Sequence, residues 1–289
     1  MKFPPPAHRA PSLSPHHDMP NLTRSTLVAS LFLQSRTSLQ RIMVVVRSLP
    51  VVVLALAGSL AHASEPDAKA LLQASDQSRG GGLPGLVWEV RTTNSGSSSP
   101  DSESSLLRVK ANEDASSAEI LEPLRSKGFK VLQVGRNMWI SKPGLKKPVA
   151  ISPRQRLTGQ AALGDIAATA YARDYEAKYV KQEVVNGEPC HLLELTAARP
   201  NTTYDKINYW VSVKRQVGVH ADFLSVSGKR LKQADFVYDS KASVNGKSFP
   251  FVSKMTISDQ LTDARTVLEF ENVRVQAVPR SEFDVTNLQ

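Results

Sequence analysis

From residue 86 onward, apolar and polar positions alternate through most of the chain. In Leu86–Arg91, Leu86, Trp88 and Val90 fall on one side and Val87, Glu89 and Arg91 on the other. That is the period of a strand with one apolar face. Residues 129–151 read as three short strands, Lys130–Val134, Met138–Ser141 and Val149–Ile151. Gly135-Arg136-Asn137 and Pro143-Gly144 supply the breaks, because Gly and Asn tolerate positive φ and Pro presets the first turn position. Leu106–Lys110 reads as a strand after a Ser-rich, solvated loop from Thr93 to Ser105. Further strands are predicted over Lys178–Val185, His191–Thr196, Ile207–Lys214, Val219–Val226, Leu231–Tyr238, Phe249–Ile257 and Ala264–Val275, with Arg199–Tyr204 as a loop. Asn186-Gly187, Ser227-Gly228 and Asn245-Gly246 punctuate them, and Asn-Gly between alternating runs is a strong hairpin signal.

Helical spacing is rarer. Ser64-Glu65-Pro66-Asp67 reads as a helix start with Ser64 as N-cap, followed by Ala68, Leu71 and Leu72 on one face. The helix runs out near Gly80-Gly81-Gly82. A phosphate-binding loop opens a helix, whereas this glycine run closes one, so it reads as a connector. Leu157–Arg173 places Ala162, Leu163, Ile166, Ala167, Ala170 and Tyr171 at helical spacing, which predicts a short helix across the sheet. Ser116–Arg125 reads as a helical turn limited by Pro123. Many antiparallel strands and few helices predict a mainly β fold, a curved antiparallel sheet whose apolar face is covered.

The repeated apolar face selects the candidate site residues: Trp88, Val90, Met138, Ile140, Tyr209, Val211, Phe251, Met255, Leu268 and Phe270. One reading makes them plain core under the helices. The other makes part of the concave face the lining of a cavity for acyl chains. Burial stabilises such a ligand by about 0.8 kcal/mol per CH₂, so a lipid site needs no polar catalytic groups. Met and aromatic side chains suit a deformable ligand.

Targeting signals change how the chain is divided. Ala61-His62-Ala63 is a small-x-small cleavage signal behind the apolar run Leu49–Leu60 and Arg47. Together they have the layout of a secretory signal peptide, residues 43–63, with Met43 as its start. The apolar run is too short for a spanning helix of roughly 20 residues. Residues 1–42, rich in Pro, Ser, His and Arg without a period, read as a mis-assigned start or a disordered extension. Residues 64–289 are then expected to form one β domain. The whole chain carries 36 Lys and Arg against 27 Asp and Glu, a formal charge of +9. Removing residues 1–63 takes six basic residues and one acidic residue, leaving 30 against 26, or +4. This mild, dispersed balance does not mark a nucleic-acid face.

Catalytic chemistry is sparse. His191 and His220 are the histidines after residue 63, and His191 points away from its neighbour Cys190 on a strand. His220 and Asp222 share a face, but no second His or Cys stands at metal-ligand spacing. No Gly-x-Ser-x-Gly elbow is present. Asp165 and Asp174 read as capping or surface residues, and Lys146-Lys147 as a solvated turn. The chain is expected to be neither an enzyme nor a holder of a cofactor or metal. Cys190 is the single cysteine, expected as a buried free thiol.

Several segments together carry a family resemblance. They are Lys127-Gly-Phe-Lys-Val-Leu132, Asn137-Met-Trp-Ile140, Pro143-Gly-Leu-Lys-Lys147, Gly159-Gln-Ala-Ala-Leu-Gly-Asp-Ile166, Gly187-Glu-Pro-Cys-His-Leu-Leu-Glu-Leu-Thr196, Tyr209-Trp-Val211 and Ser227-Gly-Lys229. The chain beyond residue 64 resembles the outer-membrane lipoprotein-sorting (LolA-like) family. The resemblance implies an unclosed half-barrel with helices across its mouth, located in the periplasm. It also implies a carrier or binding protein for a lipid or lipoprotein acyl chain, with transient membrane contact and a possible inner-membrane transporter as partner. The alternative is a non-catalytic interaction or sensor domain working with an inner-membrane transporter or signalling protein. The family's lid-controlling Arg has no fixed counterpart, and Arg91 and Arg108 are only candidates for it.

Overall fold

Strand periodicity is realised as one large antiparallel sheet. The computed structural model describes residues 65–96, 104–166, 170–200 and 202–288, all within one compact unit spanning 61–289. The extension and signal peptide expected over residues 1–63 lie outside the described residues, as does Ser64.

The first strands are β1 (Leu86–Ser95), β2 (Ser104–Ala111), β3 (Ala115–Glu122), β4 (Lys130–Val134), β5 (Asn137–Ser141) and β6 (Val149–Ile151). A small hairpin follows, β7 (Arg156–Thr158) with β8 (Ala161–Ala162). Next come β9 (Tyr175–Val185), β10 (Glu188–Ala197), β11 (Lys206–Ser212), β12 (Gly218–Leu224) and β13 (Arg230–Val237). A second hairpin, β14 (Ser240–Val244) with β15 (Lys247–Phe251), precedes β16 (Lys254–Asp259) and β17 (Arg265–Val275). Thirteen strands form the main sheet in the order β6-β5-β4-β3-β2-β1-β17-β16-β13-β12-β11-β10-β9, and it does not close into a barrel. The helices are α1 (Ala68–Gln77), α2 (Leu163–Ile166) and α3 (Tyr171–Asp174).

Register decides which residues share a face, because directly opposed residues on neighbouring strands point the same way. One continuous row runs Tyr179, Leu193, Tyr209, Ala221, Ala234, Ile257, Thr266, Asn94 from β9 to β1. In the other half of the sheet a row runs Trp88, Val109, Ala118, Val131, Ile140, Val149. Both rows belong to the inner face. Ala221 and Ala234 keep its middle shallow, which leaves depth for Tyr209 and Phe223, both fully buried. The outer face has a smaller core of its own. There Val87, Ala115 and Leu132 pack against Val278, Phe283 and Leu288 of the C-terminal turns.

Four sequence expectations need correction. Ser116–Arg125 is not a helical turn, because its alternation places it in β3, with a 3-10 turn at Leu124–Ser126 beyond Pro123. Phe249–Ile257 is not one strand. Val252 and Ser253 break it into β15 and β16, so Phe251 ends the separate hairpin, whereas Met255 lies in the main sheet. Leu157–Arg173 does not form one helix but β7–β8 followed by two single-turn helices, with 167–169 outside the described residues. Gly159, at φ +47, provides the bend that ends any helical run there. Finally, Asp67 is the N-cap of α1, its carboxylate accepting from the backbone N–H groups of Lys69 at 2.9 Å and Ala70 at 3.1 Å.

Turn chemistry follows the expected signals. Asn186 and Gly187 take φ values of 50° and 83°, and Asn245 and Gly246 take 50° and 75°. Those paired left-handed values match the twist of the flanking strands, so both Asn-Gly steps close two-residue hairpins.

Candidate functional site

The inner face collects the sequence-selected residues. Trp88, Val90, Met138, Tyr209, Val211, Phe251, Met255 and Leu268 are buried in one cluster, and Ile140 and Phe270 pack against it half-buried. Val90 opposes Phe270, and Met255 sits between Phe236 and Leu268. The face is packed. Of the ten, Met138 alone also lines one of the described clefts, at the β5–β6 edge.

Two covers close the face, and they differ in how they are held. The first runs from β7 through α2 and is fastened by a nearly complete polar network. Lys232, from the floor, donates to the Gln160 carbonyl at 2.7 Å and lies 3.3 Å from Asp165 Oδ2. Asp165 also accepts from the Tyr204 hydroxyl at 2.7 Å and from the Ala162 N–H at 2.9 Å. The Tyr204 ring stacks on Phe223 at 4.0 Å and lies beneath the Lys232 ammonium. Gln160 N–H donates to Thr266 Oγ1, which in turn donates to Asn94 Oδ1. Asp165 is therefore a buried anchor rather than the surface residue its sequence context suggested.

The second cover is α1 with α3. Leu72 is its one fully buried apolar side chain, followed along the same stripe by Ser75, Asp76 and, two residues beyond the helix, Arg79. Ser75 Oγ bonds the Tyr209 hydroxyl at 2.9 Å, and Asp76 Oδ2 accepts from the Ala172 N–H at 2.7 Å. The Arg79 guanidinium lies 4.7 Å from the Tyr171 ring centroid and 4.8 Å from that of Phe236. Asp76 Oδ1, Arg79 Nη1 and Tyr171 Oη are buried with no hydrogen-bond partner. Burial pushes the Asp76 carboxyl up to about 7, although the Ala172 N–H and the Arg79 charge both pull the other way. Burial likewise raises the Tyr171 phenol.

Sequence reading missed this polar stripe. A signal was present: Ser75, Asp76 and Arg79 continue the phase of Ala68 and Leu72, so polar groups occupy the face an ordinary core helix makes apolar. Beside α1, a groove of about 450 Å³ is lined by Lys69, Leu72, Ala172, Tyr175, Ala177 and Arg199, among others. Leu72 and Tyr175 belong to the inner core, so the groove reaches it from the free β9 edge.

On the outer face, His220 Nδ1 lies 2.7 Å from Asp235 Oδ1 and Nε2 3.5 Å from Asp222 Oδ1. Partial burial opposes the imidazolium, yet the two carboxylates lift its pKa to about 9. Trp210 packs edge-on against the ring, and Arg230 pairs with Asp222. This is a structural ion cluster with its lone pairs used internally. Among the described residues no grouping of His, Cys, Asp and Glu could hold a metal ion. Cys190 is a buried free thiol packed with Val217 and Val219, whereas His191 packs edge-on against Tyr179. Arg91 and Arg108 face outward into surface pairs with Glu122 and Glu89. Lys146 and Lys147 are exposed.

The fold has counterparts among solved structures. The chain is similar to a LolA superfamily protein from Nitrosomonas europaea at 26% identity and a TM-score of 0.68, covering 76% of this chain and 98% of that one. It is also similar to an outer membrane lipoprotein-sorting protein domain from Vibrio parahaemolyticus, at 20% identity and 0.65, covering 77% and 99%. A DUF1329 family protein from Desulfovibrio piger shares the fold at 18% identity and 0.65, covering 77% and 98%. Residues 112–289 match a family model described as "-like: Uncharacterized protein". No curated protein matches the chain.

Proposed function

Since the chain belongs to the LolA-like family of outer-membrane lipoprotein-sorting proteins, we propose that it is a periplasmic, non-catalytic carrier. Its cargo is a lipid or lipoprotein acyl chain held against the inner face of the sheet. The observation that carries this reading is the contrast between the two covers. A permanent core helix leaves few buried polar atoms unpaired, because each costs about 1–3 kcal/mol. The α1–α3 cover leaves three. Such a cover is held weakly enough to be displaced by a ligand that buries the same apolar floor. The floor supplies the complementary half: aliphatic, Met and aromatic side chains drawn from strands at both ends of the sheet. An acyl chain entering beneath α1 from the β9-edge groove exchanges the helix's contacts with the floor for its own.

The test is binding of a fluorescent acyl probe to the purified chain. Wild type is expected to bind one probe per molecule. Met255→Trp enlarges a side chain that is 1% exposed at the centre of the floor. It should keep the fold by circular dichroism and weaken the probe by about tenfold or more, because the indole fills floor space the acyl chain would otherwise cover. Folded wild type that takes up no probe contradicts the carrier reading.

A further inference from the structure

The three unpartnered atoms under α1 are of a kind that says what the cargo carries at its end. Arg79 is 7% exposed, Tyr171 and Asp76 each 3%. No carboxylate of the described residues stands within ion-pair distance of Arg79. Its charge is instead met by the faces of Tyr171 and Phe236. A guanidinium keeps its charge at any physiological pH, and a buried charge without a counter-ion is costly. Ring faces offset part of that cost and Asp76 acts on Arg79 through space, but no carboxylate of the described residues forms an ion pair with the guanidinium. The Lys232–Asp165 pair shows that this same inner face provides a carboxylate where a cation is meant to be internally neutralised.

We propose that Arg79 and Tyr171 form an internal anchor for the anionic head of an acyl ligand, a carboxylate or a phosphate, whose chain lies on the apolar floor. This rests on the carrier reading and adds the class of cargo. By hydrogen-bond geometry neither Arg79 Nη1 nor the Tyr171 hydroxyl has a partner, although the guanidinium lies near enough to the Tyr171 and Tyr209 hydroxyls to interact with both, and each keeps a donor free for an anion. They stand on the two segments that form the movable cover, so one anion accepting from both bridges the end of α1 to α3. The floor immediately beneath, Tyr209 and Phe236, packs edge-on and provides the apolar start of the chain path. Asp76 has its Oδ2 occupied by the Ala172 N–H, which holds α1 on α3 and leaves Arg79 free for the ligand.

The experiment compares cis-parinaric acid with its methyl ester on the purified chain, with hexadecyl phosphate as competitor. Wild type is expected to bind the acid at least about tenfold tighter than the ester, the usual gain from charge-assisted hydrogen bonds. Arg79→Gln should bring the ratio close to one while leaving ester affinity unchanged. Tyr171→Phe keeps the ring and removes only the hydroxyl, so it remains informative if Arg79→Gln does not fold; it should weaken the acid several-fold and spare the ester. Displacement by hexadecyl phosphate assigns the anchor to phosphate heads as well, and displacement only by carboxylates restricts it to those. Equal binding of acid and ester by wild type, or an acid preference that survives both substitutions, overturns the anchor and leaves the carrier reading in place. No binding of either probe overturns both.

Discussion

Replacing Lys232 by Met is expected to destabilise the fold by about 3–5 kcal/mol, the usual cost of removing one partner from a buried ion pair. Lys232 is 9% exposed and Asp165 4%. The substitution preserves side-chain length and the packing over Tyr204 and Phe223, so the loss reports on charge rather than volume. It strands the Asp165 carboxylate, whose remaining partners are the Tyr204 hydroxyl and the Ala162 N–H. Adding Asp165→Asn should recover a substantial part of the loss, because a neutral amide can keep the Ala162 bond without a buried charge. Urea unfolding of the single and double variants measures both quantities. Equal stability of wild type and Lys232→Met would show that the β7–α2 cover is not fastened through this pair.

The second large effect concerns Asp76 and depends on pH. Its folded-state pKa is raised from about 3.8 to about 7. A carboxyl shifted upward favours the folded state in its protonated form. Its contribution is therefore fully present below pH 3.8 and is lost as pH rises through 7. At 1.36 kcal/mol per pKa unit, the shift corresponds to about 4 kcal/mol at most. Asp76→Asn removes the titration while retaining an acceptor for the Ala172 N–H. Relative to wild type, the variant should gain stability steadily between pH 4 and pH 8, approaching that figure at the upper end. Parallel stability profiles for the two proteins across this range would mean that Asp76 is not buried under α1.

These two sites also mark where sequence reading stops. The main sheet was legible because alternation has a period of two and survives any single substitution. Trp88, Val90, Met255 and Leu268 reach one cluster for that reason. The Asn-Gly hairpins were legible because two consecutive positive φ values leave few residue choices. Leu157–Arg173 was not, since Ala, Leu and Ile at helical spacing also suit β8 and two short turns. There the outcome depended on Asp165 finding Lys232 and Tyr204, partners 67 and 39 residues away. Arg79 was invisible for a related reason. A charged residue near a glycine run reads as solvated, and only the tertiary fold places it over Tyr171 and Phe236. Phe251 shows the opposite error: its strand was misplaced, yet its side chain still reaches the inner core from the β14–β15 hairpin.

The two covers differ in how fully their buried polar groups are paired. Lys232 and Asp165 hold the segment across β13, while α1 rests on Leu72 with Ala68 and Leu71 half-buried beside it, one hydroxyl pair, one carboxylate and a backbone bond from Val252 N–H to the Ser78 carbonyl. A ligand that lifts α1 need not disturb the rest of the sheet. On the proposed carrier reading, loading is set by the balance between acyl burial and closure of α1.

The most direct test of the carrier account is native mass spectrometry of the chain purified from periplasmic extract without detergent. The account predicts a population carrying a single acyl-lipid mass adduct that disappears on denaturation and returns when the stripped protein meets that lipid. A folded protein found only at its bare polypeptide mass, and unchanged after exposure to the same lipid extract, would contradict it.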